Sequence, residues 1–228
     1  CNYPAEALTK EKIGGFANPN LEAVVALKPD LVLAGNKHDE ILGKLEELKI
    51  PVLVLFPGTL DEVYEAMELT AAATGTQDQA VAVIAGMRER LEKISGSLAA
   101  VPAEKRVRVY YEVYSDPLMS AGGPSLVHEV LTLAGGQNIF ADVGENYPKV
   151  SAEAIVARDP QVILFPKLHG SEKIQAENFA VRPGWGTIAA VKDGRIYGVQ
   201  DDAIARPGPR LLDAVEEVAS LMYPELFK

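Results

Sequence analysis

Short apolar runs and longer amphipathic stretches alternate along the chain. Runs at 31–34, 52–56, 107–114, 162–165 and 196–199 have strand length, several of them following Pro- or Gly-containing turns. Apolar residues at helical spacing predict helices over 40–48, 60–74, 125–134 and 210–222. Strands alternating with helices predict an α/β fold with mainly parallel sheets, because each parallel pair needs a crossover that covers the sheet. The longest helical pattern runs over 78–98, where Ile84, Met87, Leu91, Ile94 and Leu98 share one face. At 1.5 Å per residue it spans about 31 Å, roughly a small domain's diameter. It reads either as a rigid connection between two lobes or as one more sheet-covering helix; the strand series restarting after Pro102 favours the connection.

The pattern also repeats. Glu22-Ala-Val-Val-Ala-Leu-Lys-Pro-Asp-Leu-Val-Leu33 aligns without a gap on Glu153-Ala-Ile-Val-Ala-Arg-Asp-Pro-Gln-Val-Ile-Leu164, with six of twelve positions identical. The same offset sets Phe16 on Tyr147 and Asn20 on Ser151, and Asn and Ser both cap helix N-termini. Each copy therefore reads as aromatic, loop, capped short helix, Pro turn and buried strand, and two copies predict two similar lobes. Glu22 and Glu153 fall at the second position of matching helices. There they either complement the helix dipole or offer paired negative charges to a partner with matched positive sites. Phe16 and Tyr147 are either small-core plugs or two flat faces opposed across a cleft, where a conjugated ligand would stack.

Composition narrows the function classes. The 228 residues carry 22 Lys and Arg against 32 Asp and Glu, a formal net charge of -10, which argues against nucleic acid as a partner. No apolar run approaches the roughly 20 residues of a membrane helix. The single cysteine, Cys1, makes no internal disulfide, and no Cys/His cluster suggests zinc. There is no GxSxG elbow, Walker loop, HExxH or GxGxxG fingerprint, and His38, His128 and His169 are widely separated, so no enzyme chemistry and no catalytic cofactor are expected.

Three segments carry candidate chemistry. Ser120-Ala-Gly-Gly-Pro-Ser125 is either an anion-binding turn or a plain strand-to-helix connection. The stretch from Asp201 to Arg210 concentrates charges and prolines after the last predicted strand, where ligands of open sheets bind. Within it Asp202 and Arg206 offer hydrogen bonds to a ligand, or an ion-paired cap for the final helix. Trp185, the only tryptophan, reads as the anchor of its loop.

Residues 14–33, 147–160 and 183–197 resemble the paired signatures of the helical-backbone substrate-binding proteins of ABC importers. That resemblance implies two Rossmann-like lobes joined by one long helix, with cobalamin, a ferric siderophore or haem bound between them. Cys1-Asn-Tyr-Pro4 and Asn146-Tyr-Pro-Lys-Val-Ser151 are most similar to the vitamin B12-binding branch. Carried over by position, Tyr3, Phe16 and Tyr147 correspond to aromatic corrin contacts and Asp202 and Arg206 to polar ones. Glu22 and Glu153 match the glutamates that meet arginines on the two permease subunits. Tryptophans common at two of these positions are Phe16 and Tyr147 here, and a third aromatic expected near Gly35 is absent.

The expected layout is a first lobe over 1–77, a connecting helix over 78–100 and a second lobe over 101–228. In the second lobe 41 residues separate Arg106 from Tyr147, whereas 15 precede Phe16, so the first lobe is expected to be N-terminally truncated. An upstream segment would then supply the export signal and a membrane anchor. The implied function is capture of a corrinoid and its delivery to an ABC permease dimer, in the periplasm or at the extracytoplasmic cell surface. A siderophore or haem receptor is the alternative, and a chelatase-like enzyme the remoter one.

Overall fold

The computed structural model describes residues 3–15, 18–35, 39–167 and 176–227. Cys1, Phe16, His38 and His169 lie outside them. Two compact units emerge, Cys1–Phe56 and Pro57–Lys228.

In the first unit a 3-10 turn over Ala5–Thr9 precedes helix α1 (Leu21–Ala26), strand β1 (Val32–Ala34), helix α2 (Asp39–Glu47) and strand β2 (Val52–Val54). α1 begins where the Asn20 side chain accepts the Ala23 N–H at 3.0 Å. It is followed by Lys28 in the left-handed region, φ 48°, which turns the chain through Pro29 into β1. β1 and β2 run parallel, Val32 opposite Val52 and Ala34 opposite Val54. Val24 of α1 and Leu45 of α2 are buried in this unit.

The second unit starts with helices α3 (Leu60–Thr74) and α4 (Gln77–Leu98). There follow strands β3 (Arg108–Ser115) and β4 (Leu118–Ser120), helix α5 (Leu126–Leu133), strand β5 (Gln137–Asn138), helix α6 (Ala152–Arg158) and strand β6 (Val162–Lys167). Short helices α7 (Glu177–Ala180) and α8 (Ala189–Lys192), strand β7 (Ile196–Gln200), and helices α9 (Asp201–Ile204) and α10 (Leu211–Met222) complete it. α3 is capped by Thr59, whose hydroxyl accepts the Glu62 N–H at 3.2 Å, and stops at Gly75 with φ 70°. α4 buries Ile84, Met87 and Ile94 and half-buries Leu91 and Leu98, so the expected apolar stripe forms. It packs against α3 and α10, and Arg90 ties it to Asp213 at 2.8 Å and Glu216 at 2.7 Å of α10.

The sheet of this unit has the order β4-β3-β6-β7, with β5 sharing the outer edge of β3 with β4. All pairings are parallel except β3 with β4. Side chains of successive residues leave a strand on opposite faces. Val109 and Tyr111 of β3, with Val162 and Leu164 of β6, therefore enter one core with α4, α5 and α10. Tyr110, Ile163 and Phe165 enter a second core with Phe140, Ile155, Phe179, Trp185 and Ile188. An α/β unit with a sheet covered on both faces is what the alternating pattern predicts.

The second core holds a charge. Glu112 of β3 is completely buried, and Arg182 donates two hydrogen bonds to it, at 2.5 and 2.8 Å. The guanidinium also stacks 4.4 Å from the Phe179 ring centroid and 4.6 Å from that of Trp185, while the Tyr110 hydroxyl donates to the same carboxylate. Trp185 thus anchors its segment, as the sequence suggests, packed against Tyr110, Phe179 and Arg182. Removing one partner of a buried pair strands the other charge in a low-dielectric interior. Arg182→Ala is expected to cost about 3–5 kcal/mol in urea denaturation, and adding Glu112→Leu to recover much of that loss.

Candidate functional site

The two halves of the repeat have the same local build. Asn20 caps α1 at Ala23, and Ser151 caps α6 by accepting the Ala154 N–H at 3.1 Å. Val24 and Ile155 are the buried positions, and Lys28 and Asp159 are both left-handed, with φ 48° and 41°. Both are followed by proline and a parallel strand, β1 in one unit and β6 in the other. Glu22 and Glu153 consequently occupy the second residue of equivalent helices, and both are exposed. The Glu153 carboxyl is held below the usual range by its own backbone N–H and by Ser151.

A polar and aromatic group forms at the carboxyl end of the second unit's sheet. β6 and β7 finish side by side, Lys167 opposite Gln200, and the chain passes from β7 directly into Asp201 and Asp202. Arg206 Nη2 lies 2.6 Å from Asp202 Oδ1. The Asp202 side chain is 15% exposed and that of Arg206 55%, so the cation is the outward member of the pair. Asp201 sits beside them. Burial raises its carboxyl above the ordinary 3.8, the charge of Asp202 adds to this and Arg206 opposes it. Tyr147 is half-buried against the first core, and burial raises its phenol pKa, with Asp201 adding. Tyr111, fully buried, feels both Asp201 and Tyr147.

Of the residues expected to touch a ligand, Tyr147, Asp202 and Arg206 therefore belong to one neighbourhood. Tyr3, exposed just ahead of the 3-10 turn, belongs to the first unit, and Phe16 lies outside the described residues. Asp201 was not singled out in the sequence, although its place directly after a strand was a usable signal.

The Ser120–Ser125 segment is a strand-to-helix connection. Ser125 caps α5 by accepting the His128 N–H at 3.1 Å, and the amides of Gly122 and Gly123 donate at 3.0 Å to the carbonyls of Asn146 and Val143. These amides serve the loop that carries Tyr147 and not an anion. His128 is a packed residue: its Nδ1 lies 3.3 Å from the amide nitrogen of buried Asn138, and burial lowers its pKa. Among the described residues no three His, Cys, Asp or Glu side chains gather to hold a metal, and no helix is long and apolar enough to cross a membrane.

Comparison with known proteins gives a consistent picture. The family described as periplasmic binding protein matches residues 1–203. The ABC transporter substrate-binding lipoprotein YvrC of Bacillus subtilis is 32% identical over 99% of this chain and 72% of its own length. A vitamin B12-binding protein of Vibrio cholerae is 30% identical over 97% of this chain and 78% of its own. The crystal structure of the periplasmic vitamin B12-binding protein of Vibrio cholerae superposes with a TM-score of 0.81 at 27% identity, covering 100% of this chain and 87% of that one. The haem-binding protein RhuT of Roseiflexus has the same fold, with a TM-score of 0.86 at 21% identity over 98% of this chain and 87% of its own.

The Asp201 carboxyl has a stability signature. A raised aspartate pKa means the folded protein holds this proton more tightly than the unfolded chain does. Stability is therefore lost as pH climbs from the ordinary 3.8 through the raised value. Asp201→Asn is expected to be more stable than the parent near neutral pH and to lose that advantage below pH 3.8, as read from thermal melts across the acidic range.

Proposed function

Since the chain belongs to the periplasmic binding protein family, we propose that it captures a corrinoid and hands it to the permease of an ABC importer. The chain is a substrate-binding protein of the ABC importer type and not an enzyme. Relatives described as periplasmic or as a lipoprotein support an extracytoplasmic location. What carries the corrinoid reading is a half-buried aromatic, Tyr147, near Asp201, which in turn neighbours the ion pair of Asp202 with the outward Arg206, in a chain 30% identical to a vitamin B12-binding relative over 97% of its length. A corrin offers a broad conjugated face for tyrosine and phenylalanine, and its amide arms offer oxygen acceptors to arginine.

In this reading Tyr3, Phe16 and Tyr147 make the aromatic contacts and Asp202 and Arg206 the polar ones. Glu22 and Glu153, exposed on equivalent helix starts, dock on cationic side chains of two permease subunits. The proposed division into 1–77, 78–100 and 101–228 takes the long helix as the connection between lobes. The compact units divide earlier, after Phe56, because α3 packs on α4.

Calorimetry with cyanocobalamin, haem and a ferric siderophore offered separately tests the ligand. One-to-one binding of cyanocobalamin is expected, with unaltered ligand recovered on release, and Tyr147→Ala is expected to weaken it about tenfold. Retention of haem or siderophore in its place would replace the corrinoid with that ligand. Substituting both Glu22 and Glu153 with Ala should impair uptake into cells and leave affinity intact; weakened affinity with normal uptake contradicts the docking role.

A further inference from the structure

Tyr147 lies in a loop that runs from the end of β5 to Ser151, and backbone hydrogen bonds hold this loop against β4 and the residues after it. Ser120 N–H donates to Pro148 O at 3.1 Å, Gly122 N–H to Asn146 O at 3.0 Å and Gly123 N–H to Val143 O at 3.0 Å. From the other side Val150 N–H donates to Leu118 O at 3.0 Å. The carbonyls immediately before and after Tyr147 are both engaged, so its Cα has little freedom to shift. This approach is close because two residues have no side chain. A Cβ on Gly122 would sit 1.9 Å from Glu145 O and 2.9 Å from Val143 O, and one on Gly123 would sit 2.5 Å from Ala141 O. Contacts under 3.0 Å do not occur for real Cβ atoms, and the atoms met are backbone, which cannot swing aside. Neither glycine has a positive φ, so the requirement is for space and not for an unusual turn.

We propose that Gly122 and Gly123 are positioning residues for ligand binding: their bare backbone sets the seat of the Tyr147 loop, and hence the angle at which the ring meets the ligand. This rests on Tyr147 being a ligand contact, as proposed above. With alanine at position 122 the loop must retreat by about an ångström, because the atom the Cβ meets is a backbone carbonyl that cannot rotate away by itself. The ring then leaves its place against the core and Asp201. Gly144 lies in the same loop with nothing within 4 Å of a built Cβ, and is therefore the matched control.

The test is a double-mutant cycle with cyanocobalamin as probe, read by calorimetry well below the melting temperature. Gly122→Ala is expected to weaken binding about tenfold and Gly144→Ala to leave it unchanged. In a Tyr147→Ala background Gly122→Ala should cause no further loss, because coupled residues are non-additive. A ligand-free readout accompanies it: in a 13C-tyrosine NMR titration, the raised Tyr147 phenol pKa should fall toward its ordinary 10.0 in Gly122→Ala and stay put in Gly144→Ala. Additive losses, or an unmoved titration in folded Gly122→Ala, overturn the proposal. Full affinity in Tyr147→Ala refutes the ligand reading instead, and the titration then decides the positioning by itself. Should Gly122→Ala not fold, Gly123→Ala, with its milder clash at Ala141, enters the same comparisons.

Discussion

Parallel pairing of β6 with β3 on one side and β7 on the other sets the rest of the second unit in place. Because Val162–Lys167 is hydrogen-bonded along both edges, alternate side chains fill two cores, and the carboxyl ends of the strands finish together. Asp201, Asp202 and Arg206 follow that edge directly. The register of Lys167 with Gln200 sets where they start, and burial of Ala203 and Ile204 in the first core holds their short helix. Burial of Glu112 depends on the same pairing, since Tyr110 and Glu112 share the face of β3 on which Arg182 is stacked.

The repeat shows one local rule finished in two ways. Cap, buried helix position, left-handed residue, proline and parallel strand coincide in α1–β1 and α6–β6, so the matched placement of Glu22 and Glu153 follows from local sequence. Beyond that the copies diverge. Leu33 of β1, paired on one edge among the described residues, is 52% exposed, whereas its counterpart Leu164 has strands on both sides and is fully buried. Where the first copy has Leu27, the second has Arg158. Its guanidinium pairs with Asp142 at 2.5 and 2.9 Å, donates to the Ile139 carbonyl and lies 4.7 Å from the Phe140 ring centroid. That arginine ties α6, and with it Glu153, to the start of the Tyr147 loop.

What was legible in the sequence was whatever local chemistry decides. α3 spans the 60–74 that its apolar spacing predicts, α4 follows its apolar stripe to within a residue, and all five expected strands form with small changes at their ends. β4 and β5, three and two residues long, carry no periodic signal and exist because β3 offers them an edge. The function of Gly122 and Gly123 was equally hidden. Two adjacent glycines before a helix suit an anion nest or a connection alike, and the deciding neighbour, the Glu145 carbonyl, lies more than twenty residues away in sequence. Asp202 and Arg206 were read as ligand contacts or as an ion-paired cap; that they pair with each other, and that Asp201 lies near Tyr147, needed coordinates.

Charge bears on which ligand such a site favours. At the strand ends near Tyr147, Arg206 pairs with Asp202, Asp201 holds its proton more tightly than an ordinary aspartate, and Lys167 stands opposite Gln200. The described side chains there carry both signs, in a chain whose net charge is -10. A polyanionic ferric complex would meet Arg206 already engaged by a carboxylate, with another carboxyl and Lys167 at hand. At half-buried positions like-charge contacts of this kind are little screened. Cyanocobalamin carries no net charge and presents amide oxygens, each of which takes a hydrogen bond from a guanidinium without requiring it to leave its carboxylate. The ion pair of Asp202 with Arg206 is thus compatible with binding an uncharged, acceptor-rich ligand.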